Sequence, residues 1–183
     1  MEKRLFWWEV GAAAVTAVLG TLFHFLFGWS GGNPVIGAFT AVNESVWEHM
    51  KLLFFPLFLE FFVHSAALGR VYPNLPAARA AGTLAGLALI PVGFYTYTGV
   101  FGTHALWADI TLFFAAVALG CSLEFVLLHR SRLSALWMQV AGLLVLWLLA
   151  FVFVWCTFHP PEIGLWQDAG TGGFGIKARF GNL

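Results

Sequence analysis

Five stretches of the chain, each long enough to cross a hydrocarbon layer, restrict it to very few folds. A membrane-spanning helix needs roughly 20 predominantly apolar residues, and segments 5–29, 44–68, 78–98, 104–128 and 133–158 each reach that length. Backbone amides in lipid have no water to pair with, so such stretches fold as helices. The sequence predicts an all-α polytopic transmembrane bundle of five helices over residues 1–158, followed by a tail at 159–183. Composition agrees, since 60% of the residues are hydrophobic and 10% charged, unlike a soluble domain. Nine Lys and Arg balance nine Asp and Glu. That balance argues against nucleic acid as a partner and for membrane lipid, an ion or a small solute.

Basic residues orient the path. Lys3, Arg4, Arg70, Arg79, Arg130 and Arg132 fall on one side of it, whereas loops 30–43 and 99–103 have no Lys or Arg. The basic side is expected to be cytoplasmic, which puts the N-terminus inside and the tail outside a multi-pass protein of the cell's inner (cytoplasmic) membrane. The first span follows Lys3 and Arg4 as a signal peptide would. It is too long for one and lacks a small-x-small cleavage motif before Pro34, so it is expected to be retained.

Polar residues gather where the outer helix ends meet. Asn43 to Lys51 set Glu44, Glu48, His49 and Lys51 at the mouth of the second span, where charged groups are expensive unless paired or wet. At a 1.5 Å rise, His24, Glu48 and Asp109 each lie about 6–8 Å below the outer helix ends. Glu44, Glu48, His49, Lys51 and Asp109 are therefore the candidate catalytic groups. His24, Glu48, His104 and Asp109 form a candidate metal set, a His and carboxylate mixture suited to zinc or another divalent ion. Asn43, Trp47, Tyr95, Tyr97, Trp107 and the tail's Asp168 are candidate substrate contacts. A turn of roughly 100° per residue aligns Glu44, Glu48 and Lys51 on one stripe and turns His49 roughly 140° from Glu44, toward a neighbouring helix. A structural reading competes. Ser45-Val46-Trp47-Glu48 matches a capping box, Asn43 can cap the same turn, Trp47 suits an aromatic belt and Lys51 can snorkel to the headgroups.

A second polar layer lies toward the cytoplasm, with Glu9, Glu60, His64 and Glu124. Glu60 and His64 are four apart on one helical face, and with Glu124 they could form a proton path. In the simpler reading Glu9, His64 and Glu124 reach the inner interface, leaving Glu60 about 12 Å in from Leu68. Pro56 and Pro91 are expected to kink their helices, and Gly82 to Gly86 to supply close helix contact. Segment 133–158 has only Gln139 among strongly polar groups and reads as lipid-facing scaffold. Cys121 and Cys156 belong to opposite membrane faces, so no disulfide is expected. In the tail, Pro160 and Pro161 end the last span and glycines from Gly170 to Gly181 loosen the rest of the chain. Leu165, Trp166, Phe174 and Ile176 could fold back as a lid carrying Asp168, or adsorb to the interface through Trp166.

Three blocks carry a resemblance: Asn43 through Leu52, Tyr95-Thr96-Tyr97-Thr98-Gly99 with Leu106-Trp107-Ala108-Asp109-Ile110, and Trp166-Gln167-Asp168 to Gly175-Ile176. They resemble a family of small prokaryotic integral membrane proteins known as a domain of unknown function. The similarity spans nearly the whole chain. It implies a five-helix membrane protein whose three blocks form one site, and it implies no activity. The family tail more often reads aspartate-proline and glycine-x-tyrosine-glycine, where this chain has Ala169 and Phe174.

No Gly-x-Ser-x-Gly elbow, phosphate-cradling glycine loop or His-Glu-x-x-His helix is present. Three functions stay open. The first is a membrane-embedded hydrolase or transferase acting from the outer face on a lipid or amphiphile, with a metal or a carboxylate and histidine pair as acid-base machinery. The second is a small-solute or proton-coupled transporter using both layers. Five spans give it no inverted repeat, so that reading requires a homo-oligomer. The third is a non-catalytic membrane subunit.

Overall fold

A computed structural model of the protein describes residues 2–179. Six α-helices occur in order: α1 (Glu2–Trp29), the single turn α2 (Pro34–Gly37), α3 (Val46–Leu68), α4 (Leu75–Phe101), α5 (Leu106–His129) and α6 (Leu136–Phe158). Two 3₁₀ turns, Gly164–Trp166 and Gly175–Arg179, shape the tail. Among the described residues there is no strand, only an isolated bridge between Gln167 and Phe174. All helices except α2 are long and apolar enough to cross a membrane, so the chain is an all-helical, multi-pass membrane protein. An odd number of crossings puts Glu2 and the tail at opposite ends of the bundle.

Helix α3 is the axis. Within its apolar stretch 67% of residues are buried in protein, against 17–33% for the other four long helices. A helix so enclosed meets little lipid, which is why it tolerates Glu48, Lys51, Glu60 and His64. Around it α4 packs on α5 with backbones nearly touching: a Cβ added to Gly82 would lie 2.5 Å from the Gly120 carbonyl oxygen. Gly142 of α6 sits equally close to the Pro76 carbonyl, at 2.6 Å. Small residues admit this approach where lipid offers helices no hydrophobic reason to associate. Pro56 removes the amide that would bond the Leu52 carbonyl one turn earlier. Gly20 of α1 packs over that same oxygen, where its own Cβ would come within 2.6 Å.

Helix limits depart from the sequence expectation at starts more than at ends. Ser45 is the N-cap of α3 and accepts the Glu48 amide at 3.3 Å, so Glu44 lies outside the helix. Helix α4 begins at Leu75, with Pro76 in its first turn, a position whose missing amide has no helical partner anyway. It runs to Phe101 and ends on Gly102 at φ 73°, a left-handed cap that glycine adopts without steric strain. Helix α6 is more than a lipid-facing scaffold, because its Thr157 is fully buried against α3.

Candidate functional site

At the tail-side end of the bundle the loop before α3 folds on its own side chains. Asn43 accepts the Ser45 amide at 2.9 Å, and Glu48 reaches back past the cap to accept the Val42 amide at 3.1 Å. The same Glu48 oxygen accepts from Lys51, 2.8 Å away, with both groups sealed from solvent. Lys51 also donates to the Gly37 carbonyl and the Thr157 hydroxyl, each at 2.8 Å. An ammonium has three protons, and all three are engaged. Glu48 and Lys51 therefore staple α3 to the α2 turn and to α6. Lys51, wholly buried, does not snorkel to the headgroups.

Glu44 takes a different course, since a residue ahead of the N-cap has no place on a helical stripe. Its carboxylate lies between two imidazoles, with His24 Nε2 of α1 at 3.7 Å and His49 Nε2 of α3 at 3.6 Å. The rings are 5.4 Å apart, and the three nearest ligand-type atoms all lie within 4.8 Å of one another. His49 thus faces Glu44, reversing the expected 140° separation. His49 Nδ1 sits 2.8 Å from the Ser45 carbonyl, which can only accept, so that nitrogen carries a proton and Nε2 is the nitrogen turned to the Glu44 carboxylate. This trio is partly open, with side-chain exposures of 28%, 59% and 35% for His24, Glu44 and His49.

The four residues expected to share a metal are not brought together. Glu48 is sealed against Lys51, while His104 and Asp109 form their own group at the α4–α5 turn, where Tyr97 donates to Asp109 and His104 Nδ1 lies 3.4 Å from it. Equal depth below the helix ends does not fix azimuth, and azimuth separates them. Trp107 is 73% exposed and faces away from the protein. A groove of about 340 Å³ beside Glu44 is lined by Phe94, Tyr95, Gln167 and Asp168 among others. Of the expected substrate contacts, Tyr95 and Asp168 border it.

Asn43 and Trp47 hold the tail instead. Asn43 donates to the Gly175 carbonyl at 3.0 Å, and Trp47 lies between Phe153 and Trp166, with ring centroids 4.6 Å from each. Asp168 accepts the Glu44 amide at 2.8 Å and the Thr171 amide at 2.9 Å. The tail is folded back on the start of α3 through residue 179, and residues 180–183, including Gly181, lie outside the described residues. Burial opposes ionisation of Asp168, but hydrogen bonds from the Thr171 hydroxyl and the Glu44 and Thr171 amides hold its carboxyl below the usual range. A depressed carboxyl stabilises docking above its unfolded pKa of about 3.9, and that contribution is lost as pH falls through the lower folded value. Amide exchange at Glu44 and Thr171, corrected for intrinsic rates, is expected to stay slow at neutral pH and accelerate below about pH 4. Protection that persists through acid would remove Asp168 as the latch.

The opposite end holds a second polar cluster, and its centre is a residue expected at the basic end of a span. Because α4 starts at Leu75, Arg79 lies inside it and is wholly buried. Its Nε is 2.9 Å from Glu124, its Nη2 2.6 Å from His64 Nδ1, and its Nη1 3.4 Å from the Leu57 carbonyl. Glu9, His64 and Glu124 do not reach an interface: they are 4%, 2% and 1% exposed. Both oxygens of Glu9, both of Glu60 and Oε1 of Glu124 are buried without a hydrogen-bond donor. Glu60 and His64 line a cavity between α1 and α3.

Arg79 and Thr157 escaped the sequence reading. Arg79 follows Pro76 within a run of alanines, and a helix-starting proline there is the signal that would have set it a turn deeper in the helix. Thr157 is the only hydroxyl side chain in α6, a weaker signal. A family model described as a family of unknown function (DUF6512) matches residues 1–176. No curated protein and no solved structure matches the chain.

Proposed function

The chain belongs to that family of unknown function, DUF6512, and since membership carries no activity, we propose a function from its groups: a membrane-embedded, metal-dependent hydrolase or transferase that acts on a lipid or amphiphile. The observation that carries this reading is the trio His24, Glu44 and His49, whose ligand-type atoms lie within 4.8 Å of one another, with His49 Nδ1 already committed to the Ser45 carbonyl. A ring fixed by a carbonyl on its far nitrogen is the usual support of a metal-bound imidazole. Two histidines and one carboxylate, partly open, make the three-ligand set of catalytic zinc, with a position left for water or substrate.

Zinc bound there would polarise a carbonyl or phosphoryl oxygen and lower the pKa of a coordinated water. The chain's own residues do the rest. Asp168 fixes the backbone of Glu44 through its amide, so the docked tail positions the carboxylate. The groove beside Glu44 receives the headgroup between Tyr95 and Gln167. Lys3, Arg4, Arg70, Arg130 and Arg132 at the opposite end support a cytoplasmic placement of that end. The groove then opens on the outer face of the cell's cytoplasmic membrane.

Metal analysis after chelation and reloading tests the reading. The purified protein is expected to retain one equivalent of zinc, and Glu44→Gln and His49→Ala to weaken it beyond the roughly 10–100-fold that loss of an outer-shell partner costs. His104→Ala should retain it. A wild-type chain that keeps no metal, or a Glu44→Gln variant that binds as tightly, rejects the reading.

A further inference from the structure

We propose that the buried carboxylate cluster around Arg79, reached through the cavity between α1 and α3, binds a lipophilic organic cation, an amphiphile bearing an ammonium or comparable charge. The argument begins with charge. Arg79 faces three carboxylates, Glu9, Glu60 and Glu124, and donates to His64 Nδ1, which therefore accepts. Among the described residues Arg79 is the one cation set against these carboxylates, and five buried carboxylate oxygens lack a donor. Groups of this kind within a membrane are paired in the working protein.

A metal ion is a poor counter-charge here. Ligand-type atoms of Glu9, His64 and Glu124 do come within 4.8 Å of one another. The His64 nitrogen that faces Glu124, however, is occupied by Arg79, whose guanidinium lies within 3 Å of both residues. A divalent ion would sit against that cation. Protons alone would neutralise the carboxylates, but they leave the cavity unexplained.

The cavity measures about 590 Å³, within the range of pockets that take a small ligand. Gly11 and Ala12 leave it room, Glu60 and His64 border it, and the indoles of Trp7 and Trp8 form walls. Trp8 packs edge to face on His64 at 5.4 Å. Aromatic faces beside a carboxylate attract an organic cation, through the ring quadrupole and through charge, and do so most strongly where water is excluded. Trp7 and Val63 on the rim are 67% and 56% exposed, so a ligand can enter sideways from lipid. Arg4 borders the cavity from the exposed first turn of α1, where its long stem lets the charge turn to the headgroup layer.

Equilibrium dialysis of radiolabelled tetraphenylphosphonium against the full chain in detergent micelles tests this site. Saturable binding is expected, with no such binding of neutral triphenylphosphine. Glu60→Gln should weaken it about tenfold or more, as for loss of a contact to a charged group, and Glu60→Asp should keep most of it. If Glu60→Gln fails to elute as a folded species, Trp7→Ala on the exposed rim serves instead, with a several-fold loss expected. No saturable binding to the wild-type chain, or binding unchanged in either replacement, overturns the proposal and leaves protons as the occupants.

Discussion

Replacing Lys51 with Met is expected to destabilise the folded bundle by about 3–5 kcal/mol, the range for removing one partner of a buried ion pair. The loss comes from what stays behind. Glu48 would remain a sealed carboxylate whose only donor is the Val42 amide. The Gly37 carbonyl and the Thr157 hydroxyl would each lose the bond to Nζ. The volume is nearly conserved, so cavity formation adds little. A double replacement, Lys51→Met with Glu48→Gln, is expected to recover much of the loss because no bare charge is left. Unfolding in mixed micelles, followed by far-ultraviolet circular dichroism during titration with a denaturing detergent, measures both. A single replacement within 1 kcal/mol of wild type would mean that Lys51 is not the staple described above.

Arg79→Met should be comparably severe, about 3–5 kcal/mol by the same reasoning. It removes the one cation among Glu9, Glu60 and Glu124 and takes the donors from His64 Nδ1 and the Leu57 carbonyl. Glu124→Gln added to Arg79→Met is expected to restore stability in part, since the nearest bare carboxylate goes with it. The same unfolding titration reads the result. An Arg79→Met chain as stable as wild type would show that the cluster is already neutral without its guanidinium. That outcome would also remove the charge imbalance on which the cation site rests.

The spans are legible in the sequence because membrane length and apolar composition are local properties. His24, Glu44 and His49 stand out as candidates, but not as a group. Helical phase assigns Glu44 to a stripe with Glu48 and Lys51, and phase stops at a cap: with Ser45 as N-cap, the loop torsions ahead of it decide where Glu44 points. The capping motif is visible and carries that information. Depth alone groups His24, Glu48 and Asp109, whereas only packing can decide that Glu48 meets Lys51 and Asp109 meets Tyr97. Arg79 is misplaced for a related reason. Charge counting uses every arginine near a span end only to orient the path, and α4 begins three residues earlier than expected, which sets Arg79 a full turn inside it. The fold-back of the tail is one of two stated alternatives, distinguished in the structure by the stacking of Trp166 on Trp47.

The hydrogen bonds that dock the tail join residues 124 and 132 positions apart. During synthesis the loop carrying Glu44 therefore leaves the ribosome long before its partners Asp168 and Gly175 exist. All five spans can be inserted while one face of Trp47 still lacks the ring that will cover it. The groove acquires its last wall only when the segment after α6 emerges, so a stalled chain inserts with that wall missing. The wall that carries Gln167 and Asp168 is thus added after the spans it closes against.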